Sequence, residues 1–483
     1  MNACWMSLYV KVGFDASILW DDGRLWFPFA CLRTLMNLGL SNYIDRLTTF
    51  KISKEDLSIL PSTRGYQHKI FELIESAKKR IYITALYLQD DAAGAAVLTA
   101  LYEAKKKNPQ LDVKVFVDFL RAQRGLVGHK KSIGNIRLYR ELNGLYQHSI
   151  KIYGVPVKSR EFLGVLHLKG LVFDDTVLYS GASINDIYLH YADRYRADRY
   201  HTINSAALAD SFVKYLNKNL ASSQAVQSLT SNHFVSVKSI RQLIRRQKLS
   251  LRRSEYQFQS SRPVEEADIS LTPVLGLGSR KNQLNKTILQ LINQTKNEII
   301  IFTPYFNFPT KVYKAVLRLL REKIKVTVIV GDKKANDFFI PEGERFERIG
   351  ILPYVYESNL KRFLKSNQKH IDAGHLDVNL WQDQSNSFHL KGINSDQSNY
   401  LITGHNINPR AWRLDLENGI LIQDPNQQLV KKFADELSLV MAHCTKVDHF
   451  DEIDNLSDYP VEVKRLLKNM KRTRFDKILN QLL

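Results

Sequence analysis

Two segments of the chain carry the same reactive side chains at the same spacing. "VLHLKGLVFDDTVLYSGASIND" (165–186) contains His167, Lys169 and Asp174; "FHLKGINSDQSNYLITGHNINPRAW" (388–412) contains His389, Lys391 and Asp396. Both read His-x-Lys-x4-Asp. The composition leads to about 0.2 chance matches to that pattern in a chain of this length, so two point to a shared purpose. Each is followed by Gly-x-(Ser/Asn)-x-Asn, with Gly181, Ser183 and Asn185 in one copy and Gly404, Asn406 and Asn408 in the other.

These residue types suit attack on a phosphodiester. An imidazole is a nucleophile or general acid/base near neutral pH. Two lysines place fixed positive charge where a phosphoryl group develops negative charge. Ser and Asn offer hydrogen bonds to phosphoryl oxygens, and an acid can orient an imidazole through its second nitrogen. Two copies brought face to face give one histidine on each side of a phosphorus: one attacks, the other protonates the leaving group and then deprotonates the acceptor. This chemistry needs no metal or cofactor, and none is expected.

Strand geometry explains the local spacing. Residues i and i+2 share a face, so His167 and Lys169 project together, as do His389 and Lys391. Asp174 and Asp396 fall where hairpin turns are expected. The elements ahead of each copy repeat as well. "YQHKIFELIESAKKR" (66–80) predicts a helix, "IYITALYL" (81–88) a strand, "AAVLTALYEAKKK" (95–107) a helix and "LDVKVFVDF" (111–119) a buried strand. The order returns as 284–298, 299–306, 312–323 and 324–332. The repeat predicts an α/β fold of two duplicated halves.

The expected divisions are an atypical segment at 1–55, a first half at 56–235, a basic and Ser-rich connector at 236–275, a second half at 276–440 and a basic amphipathic helical tail at 441–483. Net charge is +20, which favours polyanions without choosing among them: an anionic membrane surface, RNA or DNA, or a phosphorylated substrate, with RNA association through the basic surface expected to be non-specific. In the tail, Val463, Leu467, Met470, Ile478 and Leu482 follow helical spacing opposite Lys464, Arg465, Lys468, Lys471, Arg472, Arg474 and Lys477. That pattern fits either an anionic bilayer or a helix docked on the second half. Cys4, Cys31 and Cys444 are too few for a disulfide framework, so a reducing cytoplasmic setting is expected, with peripheral attachment to the inner face of the cell membrane. No apolar run reaches the roughly 20 residues of a membrane-spanning helix.

At its duplicated motif the chain resembles the phospholipase D superfamily, which transfers phosphodiesters through a phosphohistidine. Longer stretches ("YGVPVKSREFLGVLHLKG", "TPYFNFP", "VGDKKANDFFIP", "LPYVYESNLKRFL", "HNINPRAWRLDLENGILI") extend the resemblance from about residue 60 to the C-terminus. They resemble the bacterial branch that moves a phosphatidyl group from CDP-diacylglycerol to L-serine. The resemblance implies phospholipase D-like halves, each a mixed sheet flanked by helices, with the active site at their interface. It implies a phosphatidyl-histidine, with His167 preferred as nucleophile and His389 as acid/base; the near-symmetry of the repeat leaves the reverse open. Lys169, Lys391, Asn185 and Asn408 would hold phosphoryl oxygens, helped by Ser183 and Asn406. Asp174 and Asp396 belong to the catalytic motif, though their turn positions suggest a structural or orienting role. Glu417 would orient an imidazole; the first half offers only Asp198, at a different spacing. Arg410 and Arg413 are candidates for phosphate contact.

Where a Gly-Ser-Asn is common in the superfamily the second copy reads Gly-His-Asn, which raises a question about His405. Residues 1–45 have no counterpart in the family, and initiation at Met36 is expected. "YLHYADRYRADRYH" (188–201) supplies further candidates in Arg196, Arg199 and Tyr200, for a headgroup contact or a packed ion-pair segment. "GLGSRK" (276–281) reads as a helix-entry turn. Alternative activities on the same mechanism are those of a cardiolipin synthase, a phospholipase D or a phosphodiester-cleaving nuclease. A nucleic-acid-binding protein is the remaining alternative.

Overall fold

The computed structural model describes residues 20–21, 24–25, 43–44, 47–124, 134–231, 236–258, 268–341, 343–473 and 479–480. Met1–Arg46 and Leu47–Leu483 are separate units. In the first, Trp20–Asp21 pairs antiparallel with Arg24–Leu25; Cys4, Cys31 and Met36 lie outside the described residues, as do Arg474, Lys477, Ile478 and Leu482 of the tail.

In the second unit the sequence repeat is a repeat of whole sheets. The first half contributes β2 (Leu57–Ile59), α1 (Thr63–Ser76), β3 (Arg80–Thr84), α2 (Ala92–Lys107), β4 (Asp112–Asp118), α3 (Ile136–Leu145), β5 (Lys151–Val155), β6 (Leu171–Phe173), β7 (Thr176–Ser180), β8 (Tyr200–Asn204), α4 (Ala206–Tyr215) and β9 (Gln227–Ser228), preceded by β1 (Phe50–Ile52). After α5 (Arg241–Leu251), the second half contributes β10 (Ile269–Leu277), α6 (Gln283–Gln294), β11 (Glu298–Thr303), α7 (Thr310–Arg321), β12 (Lys325–Gly331), α8 (Leu352–Asp372), β13 (Leu376–Trp381), β14 (Gly392–Ser395), β15 (Asn399–Thr403), β16 (Leu416–Gln423), α9 (Val430–Met441) and β17 (Cys444–Val447). The sheet orders are β9-β5-β4-β3-β6-β7-β8-β2 and β17-β13-β12-β11-β14-β15-β16-β10-β1. In each, three strands linked by helices run parallel (β3-β4-β5, β11-β12-β13), and the hairpin that follows the His-x-Lys segment pairs antiparallel to the first of them. The expected mixed sheets flanked by helices are present.

Local sequence sets the element ends. Ser62 and Asp91 cap α1 and α2 by accepting from the Gly65 and Gly94 amides, which satisfies donors that a helix start leaves free. Asn282 caps α6 in the same way after Gly278 turns the chain at φ +87°, so the stretch 276–281 ends β10 at Leu277 and supplies the expected helix-entry turn at 278–281. Two divisions differ from the sequence expectation. β10 starts at Ile269, inside the stretch read as connector, and β17 lies inside the stretch read as tail. β10 is buried along its whole length, so it shows no alternating pattern to read.

One apolar cluster joins the halves. Leu57, Leu166, Leu168, Tyr179, Ile203 and Phe212 pack with Leu271, Leu275, Tyr400, Ile402, Leu416 and Ile420. β1 adds to this union: it precedes the first half in sequence but pairs with β10 of the second sheet. The tail helix α10 (Val461–Arg472) turns Val463, Leu467 and Met470 onto Ile351, Tyr354 and Val355 around the start of α8, while Arg465, Lys468, Lys471 and Arg472 stay exposed. Of the two uses the tail pattern allows, docking on the second half takes its apolar face.

Candidate active site

Each His-x-Lys segment lies against a strand of the opposite half. Leu166 bridges Leu416, and His167 N–H donates to the Leu416 carbonyl at 2.9 Å. In mirror fashion Phe388 pairs with Ala197, and His389 N–H donates to the Ala197 carbonyl at 2.9 Å. This register presents the next residue of each opposing strand to an imidazole. Glu417 places its two carboxylate oxygens 2.8 and 2.9 Å from His167 Nδ1. Asp198 Oδ2 lies 3.1 Å from His389 Nδ1 and accepts from Lys391 Nζ at 2.9 Å. Asp198 and Glu417 therefore occupy equivalent places in the two stations. Their unequal distances from Asn185 and Asn408 reflect only a longer connection in the first half.

Further bonds fix the two stations. Asn418 clamps the Lys169 backbone, its Oδ1 accepting from N–H and its Nδ2 donating to the carbonyl, both at 2.8 Å. Asp118 accepts from the Leu166 N–H at 2.9 Å. Tyr188 OH sits 2.9 Å from His389 Nδ1. Lys391 Nζ contacts both the ring and the carbonyl oxygen of His389. The motif glycines have a reason in this packing. A Cβ on Gly181 would lie 2.7 Å from Lys391 Nζ, and one on Gly404 would lie 2.7 Å from Lys169 Cγ. Each glycine lets the other half's lysine pass.

The remaining candidates divide into those the fold brings to the histidines and those it uses elsewhere. Ser183 Oγ accepts from Lys169 Nζ at 3.3 Å. Asn185 and Asn408 spend Oδ1 on the amides of Tyr188 and Ala411, each at 2.9 Å; Asn185 Nδ2 also donates to Tyr87 OH at 3.5 Å, so a ligand would draw on the second Nδ2 hydrogen there and on Nδ2 of Asn408. Asn406 Oδ1 is buried with no hydrogen-bond partner among the described residues. Asp174 and Asp396 do not belong to the reacting group. Asp174 accepts from the backbone of Lys78, Lys79 and Arg80 (2.7–2.9 Å), and Asp396 from that of Lys296, Asn297 and Glu298 (2.8–3.1 Å). Both sit at φ near +50° in their hairpin turns, five residues beyond the lysine along an extended chain. Arg410 is engaged by Asp415 (Nε–Oδ2 3.1 Å) and the Glu161 carbonyl, and Arg413 is exposed outside the group. Arg199 forms a buried pair with Glu436 (2.6 Å), and Tyr200 OH bonds Thr63; both are structural. His405 is buried, its Nδ1 accepting from the Ile407 amide, so it locks the turn. Asn418 and Tyr188 went unnoticed in the sequence. Adjacency to Glu417 in "LEN" marks one, and the run 188–201 holds the other.

The two stations differ in charge. Burial pushes the Glu417 carboxyl up to about 7. Asp198, although also buried, is held down at about 2 by the Lys391 charge and the His389 bond. Burial and the Lys391 charge drive His389 down to about 3, and burial and Lys169 drive His167 well below its ordinary value. Burial, with Lys391 nearby, brings Lys169 down to about 7. Burial and the adjoining lysines thus favour the neutral imidazole at both stations. Because Nδ1 of His167 faces only carboxylate oxygens, its proton belongs there, which places the lone pair on Nε2. An anion held beside both lysines would offset their charge and raise His389 toward protonation.

A duplicated α/β fold with paired His-x-Lys stations across its midline defines a phosphodiester-processing enzyme class, and residues 70–218 and 288–441 match the family described as "Cardiolipin synthase, PLD-like domain". The chain belongs to this phospholipase D-like family. Among its relatives, the CDP-diacylglycerol–serine O-phosphatidyltransferase of Haemophilus influenzae is 44% identical over 91% of this chain and 97% of that protein. The corresponding Escherichia coli enzyme is 43% identical over the same shares. The crystal structure of the Haemophilus influenzae phosphatidylserine synthase superposes with a TM-score of 0.90 at 42% identity, over 93% of this chain and all of that one.

Proposed function

We propose that this chain transfers a phosphatidyl group from CDP-diacylglycerol to L-serine, producing phosphatidylserine and CMP, with no metal or cofactor in the chemical step. The likeness that supports the choice of substrates is the 44% identity to a serine-transferring relative over nearly the full length of both proteins. His167 Nε2 attacks the phosphorus that bears diacylglycerol, and the bond to the CMP phosphate oxygen breaks as His389 supplies a proton. Positive charge that builds on His167 is held by Glu417 across the 2.8 Å contact. The serine hydroxyl then gives its proton to His389 and attacks phosphorus, which breaks the P–N bond and returns His167 to its neutral form. Lys169, Lys391 and the Nδ2 groups of Asn185 and Asn408 hold the phosphoryl oxygens.

The lipid is reached from the membrane surface. No helix among the described residues is long and apolar enough to cross a bilayer, and the +20 charge supports peripheral, salt-sensitive binding to anionic lipid. The same charge would attract RNA non-specifically, alongside catalysis. The test is CMP release from CDP-diacylglycerol in mixed micelles. Release that depends on L-serine, together with a phosphatidyl adduct mapped to His167 by mass spectrometry, is expected. Equal release with water alone, or full activity in a His167→Ala, His389→Ala double variant, would overturn the proposal.

A further inference from the structure

Arg196 and Asp337 meet beside His389, Arg196 from the run 188–201 of the first half and Asp337 from "VGDKKANDFFIP" of the second. Arg196 Nε lies 2.9 Å from Asp337 Oδ1, and the side chains are only 13% and 11% exposed. The pairing is incomplete. The Arg196 Nε–H is directed to Ser387 Oγ at 3.2 Å, and buried Asp337 Oδ1 has, beyond its charge contact with Arg196, no hydrogen-bond partner among the described residues. Asp337 Oδ2 is taken by the Tyr305 hydroxyl at 2.7 Å. The Arg196 guanidinium lies 4.7 Å over the Tyr188 ring, whose hydroxyl is 2.9 Å from His389 Nδ1. The Tyr305 ring stands edge-on to His389 with centroids 6.3 Å apart.

A cation and an anion, each with hydrogen-bonding capacity unspent, therefore sit one aromatic ring away from the imidazole. A buried ion pair does little for stability by itself, since apolar residues of the same shape would serve as well. A guanidinium presents a planar fork that matches a carboxylate in a way few other groups do. Asp337 offers an acceptor to an ammonium. The pair is neutral, so it can receive a neutral zwitterion and release it without leaving an uncompensated charge behind.

We infer that Arg196 and Asp337 form the binding site for the zwitterionic part of an amino-acid acceptor, Arg196 taking the α-carboxylate and Asp337 the α-ammonium, with the acceptor hydroxyl at His389. This rests on the transferase reading above and names the acceptor site within it. It also gives the basic–aromatic run 188–201 a purpose that phosphate binding does not: one of its arginines reads the acceptor, while Arg199 is committed to Glu436.

The experiment compares L-serine with L-serine methyl ester, which keeps the hydroxyl and ammonium but lacks the carboxylate charge. In the unaltered enzyme the free acid is expected to be preferred at least tenfold in kcat/KM. In Arg196→Gln the KM for L-serine is expected to rise about tenfold or more and the preference to collapse, while the KM for CDP-diacylglycerol changes less than about twofold. Arg196→Lys, which keeps the charge and loses the fork, is expected to show a smaller rise. Asp337→Asn is expected to weaken both acceptors. Equal losses for acid and ester in Arg196→Gln would make the pair a clamp between the halves and overturn the inference. A serine KM unmoved in both Arg196→Gln and Asp337→Asn would also overturn it, with the transferase reading left standing. Absence of CMP release by the unaltered enzyme would overturn both.

Discussion

Glu417→Gln tests the cross-half pairing most sharply. The substitution keeps the shape of a fully buried side chain and removes its charge, so it opens no cavity. What it takes away is the negative charge that faces His167 Nδ1–H across two oxygens at 2.8 and 2.9 Å, leaving one neutral amide oxygen as acceptor. A hydrogen bond to a charged group is worth about 1.5–3 kcal/mol. At about 1.36 kcal/mol per decade of rate, CMP release is expected to slow roughly 10- to 150-fold. The pH dependence adds a second signature. With the Glu417 carboxyl pushed up to about 7, kcat/KM of the unaltered enzyme is expected to fall as pH drops through about 7, because protonation removes the charge that holds a positive His167. The variant lacks that limb. The sign for stability is the opposite. Between 4.5 and about 7 the folded protein keeps a proton that the unfolded chain has released, so this group lowers stability as pH rises across that window. Glu417→Gln is therefore expected to be slower and at least equally stable at alkaline pH. A rate within about threefold of the unaltered enzyme, with the acidic limb intact, would refute the pairing as a catalytic device. Asp198→Asn is expected to differ: it strips the buried Lys391 ammonium of its partner at 2.9 Å, which costs about 3–5 kcal/mol of stability in addition to activity.

The turn acids are expected to behave in the opposite way from Glu417. Asp174→Ala or Asp396→Ala leaves three backbone amides without their carboxylate, so a loss of about 1–3 kcal/mol in denaturant unfolding is expected, with the activity of the folded fraction retained. A collapse of kcat in either variant at full stability would return these residues to the reacting group. For the tail, removal of 461–483 uncovers Ile351, Tyr354 and Val355 and is expected to lower Tm. Arg465→Glu with Lys468→Glu leaves Tm in place and is expected to weaken sedimentation with anionic vesicles. An unchanged Tm on deletion would show that the helix is not a structural part of the second half.

Much of this was legible because it is local. Period-2 and period-3.6 patterns fixed the helix–strand order of both halves, and the i, i+2 rule put His167 beside Lys169 and His389 beside Lys391. The turn positions of Asp174 and Asp396 hinted at their structural role, since the same five-residue step that defines the motif carries them past the end of a strand. The membrane reading of the tail was less legible. An apolar stripe at helical spacing has one appearance whether it meets lipid or protein, and only Tyr354 and Ile351 decide that it meets protein.

What the sequence by itself determined is the inventory of the site: two His-x-Lys pairs, the small and amide residues after them, and the duplication that demands they face each other. Only the tertiary structure decided how the inventory is shared. Glu417 serves His167 and Asp198 serves His389, each across the midline, so no count of residues within one half could match a histidine to its acid. Gly181 and Gly404 yield to the lysine of the other half for the same reason. Arg410 and Arg199, basic residues close to the motifs in sequence, are spent on Asp415 and Glu436, whereas Arg196 is left beside His389. Contacts between strands of different halves depend on packing register, and spacing along one chain does not encode it.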